Sequence, residues 1–191
     1  MTKILVTLAF LIGVFSSDFS QAAVPTEAFT FDTNVRPISM TSSQEDKLDK
    51  AADLIKRVIA TEAFRNKVLN HTYGGKKTFK DNGGLTNLQI YNKILAGAEK
   101  LQPSRDNEMD IEVELYYESA NVVGYTMTGS KRIYMNTKFF NSYTSVNVSG
   151  NMMHEWLHKL GFKHAVNYTY SRDFSIPYAI GNIVESLARN V

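Results

Sequence analysis

The sequence predicts an α+β fold built as one domain. Apolar residues recur at helical spacing over residues 41–70 and again near the C-terminus, whereas residues 111–136 contain the apolar–polar alternation of half-buried strands. Residues 24–191, which follow a candidate leader segment, have the length of one domain with one hydrophobic core. The separate helical and strand stretches indicate an α+β arrangement.

Residues 1–23 have the pattern of a secretory signal peptide. Lys3 supplies a positive charge, residues 4–15 form an apolar run too short to span a bilayer, and small residues lead to Ala22 and Ala23. We expect cleavage after Ala22 or Ala23, followed by release into a bacterial periplasm or the medium without stable membrane insertion. An uncleaved N-terminal anchor is the alternative.

Composition excludes several classes of protein. The chain of 191 residues contains no cysteine, so burial and bound metal, rather than disulfides, must stabilise an exported domain. Its formal net charge is +2, and the charges of both signs are interspersed without a basic stripe. We therefore expect no nucleic-acid partner, and a monomer is the predicted state.

The first helix is predicted to begin near Thr41 and to break near Thr61, where the apolar stripe changes phase. Thr86 and Gln89 form a capping box, which predicts that another helix begins there. Residues 122–127 and 132–136 flank a Thr-Gly-Ser-Lys turn and are predicted to form a hairpin. Two helices should follow. Ser149 is the predicted N-cap of the first, and the second is predicted by an apolar stripe of Ile180, Ile183, Val184 and Leu187.

A compact histidine motif lies at residues 154–164, in the order H-E-x-x-H-x-x-G-x-x-H. On a helix, His154 and His158 project from one face, so both imidazoles can bind a single metal ion. Glu155 lies beside the position of a metal-bound water. Gly161 can adopt the left-handed conformation that ends a helix, and the turn brings His164 round as a third ligand. Three nitrogen ligands and one open position are typical of catalytic zinc.

The extended motif is far more specific than its first five residues. Given the average abundance of its residue types, its chance occurrence in a chain of this length is on the order of one in 10⁵. A histidine-bearing core helix without metal is the alternative interpretation.

This extended motif resembles the signature of the metzincin clan of zinc metalloproteases. The resemblance covers residues 111–178 and implies a small twisted mixed sheet with an antiparallel edge strand, packed against long helices that include the active-site helix. It also implies an exported zinc endopeptidase with one catalytic Zn²⁺, bound by His154, His158 and His164. Glu155 would then be the general base that activates the zinc-bound water.

The resemblance also predicts how a peptide or protein substrate binds. Some metzincins place a tyrosine just after their methionine turn, which makes Tyr178 the candidate donor to the oxyanion, with core packing as the alternative role. The edge strand would form the upper rim of the cleft and pair with substrate by β-augmentation. The expected rim residues are Gly124, Tyr125, Thr126 and Met127.

One feature departs from the metzincin pattern. Every methionine precedes His154 in the chain, so no methionine can form the turn beneath the metal. We expect residues 175–178 to replace that turn, with Pro177 making it tight and rigid.

Residues 24–43 carry little regular pattern and are predicted to be a first strand or a flexible lead, followed by the catalytic domain at 44–191. A short pro-segment is the alternative, in which Asp32 would block the metal in a latent form. Three other functions remain open. They are a gluzincin-like peptidase with Glu185 as third ligand, a hydrolase of a non-protein amide such as a cell-wall cross-link, and a catalytically silent secreted zinc-binding module.

Overall fold

The computed structural model describes residues 30–191, and the predicted signal peptide with its cleavage site lies outside these described residues. The elements in chain order are β1 (Asp32–Ile38), α1 (Ser42–Ile59), α2 (Glu62–Leu69), α3 (Asn87–Ala96), β2 (Glu108–Tyr116), β3 (Gly124–Thr126), β4 (Arg132–Asn136), α4 (Thr137–Phe140), α5 (Ser145–Lys159) and α6 (Ile176–Leu187). A short 3₁₀ helix covers Tyr170–Phe174. In this part of the chain, no helix combines the length and the apolar character that a membrane span requires.

The four strands form one mixed sheet in the order β1-β2-β4-β3. β1, β2 and β4 run parallel to one another, while β3 pairs antiparallel with β4 at one edge of the sheet. This arrangement confirms the predicted α+β fold with a small mixed sheet in a single domain. Because β3 pairs through one side only, its other edge carries no strand partner within residues 30–191.

The long helices pack together on the sheet. α1 contacts β1 and α5, and α5 in turn contacts β3, β4 and α6. The break predicted near Thr61 is confirmed, because α1 ends at Ile59 and the Thr61 side chain accepts a hydrogen bond from the Phe64 amide at the start of α2. The core between these layers is fully buried. Its largest members include Trp156, Phe64, Phe79, Phe140, Leu48 and Ile55.

The start of α5 differs from the prediction. Thr144, not Ser149, is the N-cap, and it forms a capping box with Asn147. Ser149 lies inside the helix, where its hydroxyl donates to the Val146 carbonyl at 2.7 Å. The box escapes a sequence search because Asn replaces the usual Glu or Gln at its third position. The histidine-bearing helix is therefore one turn longer at its N-terminus.

Two glycines allow α6 to cross close behind α5. A Cβ atom at Gly181 would lie 2.9 Å from the carbonyl oxygen of Gly150 and 3.3 Å from Cβ of His154. Such an approach leaves no room for a side chain. The crossing therefore places α6 directly against the helical turn that carries the first histidine.

The lead segment contains β1, and Asp32 is the first residue of this strand. Its carboxylate forms an ion pair with Lys56 of α1, with Nζ and Oδ1 3.0 Å apart. The Lys56 hydrogen bond, followed by one from the Thr33 amide, lowers the pKa of this carboxyl. Asp32 therefore pairs with Lys56 and does not block the predicted metal site at the three histidines.

Candidate metal centre

Three imidazoles converge at the base of a cleft. His154 and His158 project from α5 one helical turn apart, and His164 approaches from the loop that follows. One ring nitrogen from each residue lies within 4.8 Å of the others. The ring centroids are 5.1 Å apart for His154 and His158, 5.1 Å for His154 and His164, and 4.9 Å for His158 and His164.

The turn that delivers His164 is made at Gly161. This residue has φ = +96°, a backbone conformation that residues with a side chain rarely adopt. Around it, the Gly161 amide donates to the His158 carbonyl and the Phe162 amide donates to the Leu157 carbonyl, each at 3.0 Å. These bonds close the C-terminus of α5 and reverse the chain.

Backbone carbonyls orient the imidazoles. Nδ1 of His158 lies 2.8 Å from the Phe162 carbonyl, and Nδ1 of His164 lies 2.8 Å from the Ala165 carbonyl. A carbonyl can only accept, so each Nδ1 carries the hydrogen and each Nε2 presents a lone pair. His154 forms a hydrogen bond with the backbone of Pro177, which has only a carbonyl to offer. Such outer partners fix tautomer and ring orientation at metal sites.

The spacing of the free nitrogens fits a tetrahedral metal. Nε2 of His154 lies 3.2 Å from Nε2 of His164. Two Zn–N bonds at a tetrahedral angle would place their nitrogens about 3.3 Å apart. Lone pairs that face one another at this distance repel unless a shared cation or a proton lies between them. The donor set therefore fits a zinc ion on distance and on charge.

Burial favours the neutral forms of His154 and His158. Burial, together with a smaller effect of the neighbouring His158 and His164, lowers the pKa of His154 to about 3. Burial likewise lowers the pKa of His158. Because a metal ion must compete with protons for these nitrogens, the lowered pKa values of His154 and His158 favour metal binding.

Glu155 occupies the buried wall next to the first histidine. Only 4% of its surface is exposed, and burial raises the pKa of its carboxyl to about 8 despite the opposing charge of Lys159. A Cβ atom at Gly124 would lie 3.4 Å from Oε1 of Glu155. The carboxylate therefore faces the strand that forms the cleft's rim.

The cleft has a volume of about 1010 Å³ and runs along α5 beneath β3. All four predicted rim residues line it. They are Gly124, Tyr125, Thr126 and Met127. A side chain at Gly124 would collide with the Tyr134 carbonyl (2.8 Å) and Oδ1 of Asn151 (3.0 Å). Glycine at this position lets β3 approach α5, the helix that carries His154 and His158.

Tyr178 lies against the histidines, in the region where the sequence predicted a replacement for the methionine turn. Its ring centroid is 4.4 Å from that of His154 and 4.7 Å from that of His164. The guanidinium of Arg172 stacks on its ring at 4.5 Å. The tight turn expected at Pro177 is not formed, because Pro177 belongs to the first turn of α6. Proline is well tolerated there, since that turn needs no amide donor.

Lys159 is a site residue that sequence reasoning missed. It is 8% exposed, and its Nζ donates to the carbonyls of Ser130 (2.6 Å) and Arg132 (2.7 Å) in the β3–β4 hairpin. Burial lowers the pKa of this lysine to about 8, against the opposing effect of Glu155. Its position four residues after Glu155 was the available signal, since it puts both charges on one helix face.

Glu185, the alternative third ligand, is held elsewhere. Its Oε1 accepts hydrogen bonds from Asn147 at 2.9 Å and from Arg189 at 3.0 Å. It does not belong to the group of converging metal-ligand atoms that contains the three histidines.

Comparisons of the chain with models of known protein families, with curated proteins and with solved structures give no match.

Proposed function

We propose that this protein is an exported, zinc-dependent endopeptidase of metzincin-like type, acting as a monomer on peptide or protein substrates. His154, His158 and His164 would bind one zinc ion, and Glu155 would be the general base. The observation that carries this proposal is the 3.2 Å approach of two ring nitrogens, Nε2 of His154 and Nε2 of His164, in a partly buried three-imidazole cluster. The adjacent buried carboxylate favours catalysis over metal storage, because metal binding alone does not need it.

A zinc ion bound by three neutral imidazoles supplies a Lewis acid and a water of lowered pKa. Glu155 accepts the proton of the attacking water and later delivers it to the departing amine nitrogen. In the metal-free site burial raises the pKa of this carboxyl, which favours delivery of the proton to the departing amine.

Tyr178 is the proposed donor to the oxyanion that forms when the carbonyl is attacked. The Tyr178 ring packs between His154, His164 and the guanidinium of Arg172, and Tyr178 lines the cleft. A donor fixed in this way needs little reorganisation as charge develops on the substrate oxygen.

An extended substrate would pair with the free edge of β3. Backbone hydrogen bonds along a sheet edge bind a polypeptide in extended form with little dependence on its side chains. Gly124 lies against Glu155, so a substrate paired along this strand passes the proposed base. Met127 and Val122 are 49% and 41% exposed beside the cleft, which suits contact with a polypeptide.

The test combines metal content with cleavage of a peptide library by purified mature protein. We expect one zinc per chain and cleavage that a chelator abolishes and added zinc restores. Glu155→Gln should retain zinc and lose activity on the order of 10²- to 10⁴-fold. The matched control is Glu114→Gln, which lies on β2 and pairs with Arg132.

Two results would contradict the proposal. Protein that holds one zinc yet cleaves neither peptides nor unfolded proteins would favour the silent zinc-binding module or a non-peptide substrate. Full activity in Glu155→Gln would show that Glu155 is not the general base.

A further inference from the structure

One end of the cleft is basic. Lys100 and Lys163 line the cleft at the C-terminal end of α5, beside the loop that carries His164. We propose that this basic end selects substrates that carry an acidic side chain a few residues from the bond to be cleaved. The inference rests on the proposed peptidase function for its location and deepens it by naming a substrate class.

Packing holds these lysines in place. The Lys100 amide donates to the Lys159 carbonyl at 3.0 Å, which anchors the segment to the last turn of α5. The aliphatic stem of Lys100 then covers Gly161, where a Cβ atom would collide with it. A lysine stem that covers backbone in this way presents its ammonium group at a defined place.

Lys93 adds a third positive charge behind the first two. Its Nζ lies 5.0 Å from the centroid of the Phe162 ring, one residue before Lys163. Burial lowers the pKa of Lys93, and the charge of Lys100 lowers it further, which indicates that the two ammonium groups are close. Lys100 and Lys93 therefore lie against Gly161 and Phe162, the two residues that precede Lys163.

No acidic side chain of residues 30–191 pairs with any of these three lysines. Two acidic residues of the cleft lining, Glu99 and Asp110, have other partners. Glu99 accepts from Trp156 Nε1 and from the Asp110 amide, and Asp110 accepts from Asn34 and Gln102. The positive charge at this end is therefore available to a ligand.

The opposite end of the cleft differs in character. Glu185 and Asn147 line it near the N-terminal end of α5. The two ends therefore differ in charge, because Glu185 is paired with Arg189 whereas Lys100 and Lys163 have no acidic partner in the part of the chain that the structure describes. Charges of one sign along a cleft raise the local concentration of oppositely charged ligands and orient them.

The test measures binding separately from cleavage. Zinc-loaded Glu155→Gln protein is titrated into labelled, otherwise neutral peptides in which one glutamate scans every position, each paired with its glutamine twin. At one or more positions we expect the glutamate peptide to bind on the order of three- to tenfold more tightly at low salt, and the gap to shrink at high salt. Lys100→Gln and Lys163→Gln should each reduce the gap, and the double variant should abolish it.

The matched control is Lys50→Gln, an exposed lysine on α1 away from the cleft, which should leave the gap unchanged. Equal binding of all twins, no binding of either twin, or a gap that persists in the double variant would overturn the inference. Cleavage by the wild-type zinc protein separates the two claims. Cleavage without preference for acidic peptides would contradict this inference and leave the peptidase proposal standing. Preferential binding of acidic peptides without any cleavage would support this inference and contradict the peptidase proposal.

Discussion

Lys159 of α5 donates a hydrogen bond from Nζ to the carbonyl oxygen of Ser130, at 2.6 Å, across the end of the β3–β4 hairpin. The same ammonium group reaches the Arg132 carbonyl at 2.7 Å. The rim strand is thereby tied to the helix that carries His154 and His158. An edge strand and a histidine cluster joined in this way keep their relative geometry better than two independent elements.

Replacing Lys159 with methionine should loosen that connection. The Ser130 and Arg132 carbonyls would lose their charged donor, so the free energy of unfolding should fall by about 1–3 kcal/mol. Amide hydrogen exchange in β3 and β4 should accelerate while zinc content stays at the wild-type level. Lys50→Met provides the surface control, and unchanged exchange rates in the Lys159 variant would show that the tie is unimportant.

A methyl group at the α5–α6 crossing should disturb the first histidine. In Gly181→Ala, the new Cβ would meet the Gly150 carbonyl at 2.9 Å and His154 Cβ at 3.3 Å. We expect a loss of stability of about 1–3 kcal/mol and weaker zinc binding, because the helices must separate. Thermal unfolding and zinc titration are the measurements. Ser186→Ala on the exposed side of α6 should change neither, and wild-type zinc affinity in Gly181→Ala would contradict the close packing.

The identity of the third ligand is decided by two single substitutions. His164→Ala should weaken zinc binding by more than about 10²-fold, since it removes one of three nitrogen donors. Glu185→Ala should retain zinc, because its carboxylate is engaged by Asn147 and Arg189. Metal analysis after dialysis measures both. Zinc lost with Glu185→Ala and kept with His164→Ala would support the gluzincin-like arrangement.

Tyr178→Phe separates hydrogen bonding from packing. The phenylalanine ring keeps the contacts with His154 and His164, so zinc content should not change. Loss of an oxyanion donor should lower kcat on the order of 10²-fold with little effect on KM. Steady-state kinetics on one cleaved peptide measures this. An unchanged kcat would assign Tyr178 to packing, and Tyr178→Ala would then reveal what the ring contributes.

The pKa of Glu155 predicts a pH-dependent stability difference in metal-free protein. Burial raises this pKa from 4.5 to about 8, so between these values the native state binds more protons than the unfolded state. The carboxyl therefore destabilises the fold increasingly as pH rises through that window. In chelator, Glu155→Gln should match wild type near pH 4.5 and exceed its unfolding free energy by a few kcal/mol near pH 8, on the order of 2–4. A difference that is constant across pH would contradict the buried, protonated carboxyl.

Features that depend on neighbouring residues in the chain could be predicted from the sequence. The break between α1 and α2 at Thr61, the capping box of Thr86 and Gln89, and the turn at Gly161 are all present. Each depends on contacts within one helical turn, where residue type and spacing suffice. The α+β class follows from the same local periodicities.

The prediction was wrong where long-range packing selects among local options. Thr144 and Ser149 are both acceptable N-caps, and the position of α5 against its neighbours favours the earlier one. Pro177 could begin a tight turn or a helix, and it begins α6. Arg172 carries no spacing signature of its own, since its partner Tyr178 comes from another element. The spacing of Lys159 from Glu155 shows that they share a helix face, but it does not reveal the carbonyl partners of Lys159 in the β3–β4 hairpin.

By itself, the sequence determined that three histidines and a carboxylate share one short segment, because helix periodicity and a glycine at the turn are encoded within eleven residues. Only the tertiary structure decided what surrounds them. The rim strand above Glu155, the tyrosine against the imidazoles and the lysines at one end of the cleft come from segments far apart in the chain. Their placement depends on how buried surfaces fit together, and no local pattern specifies that fit.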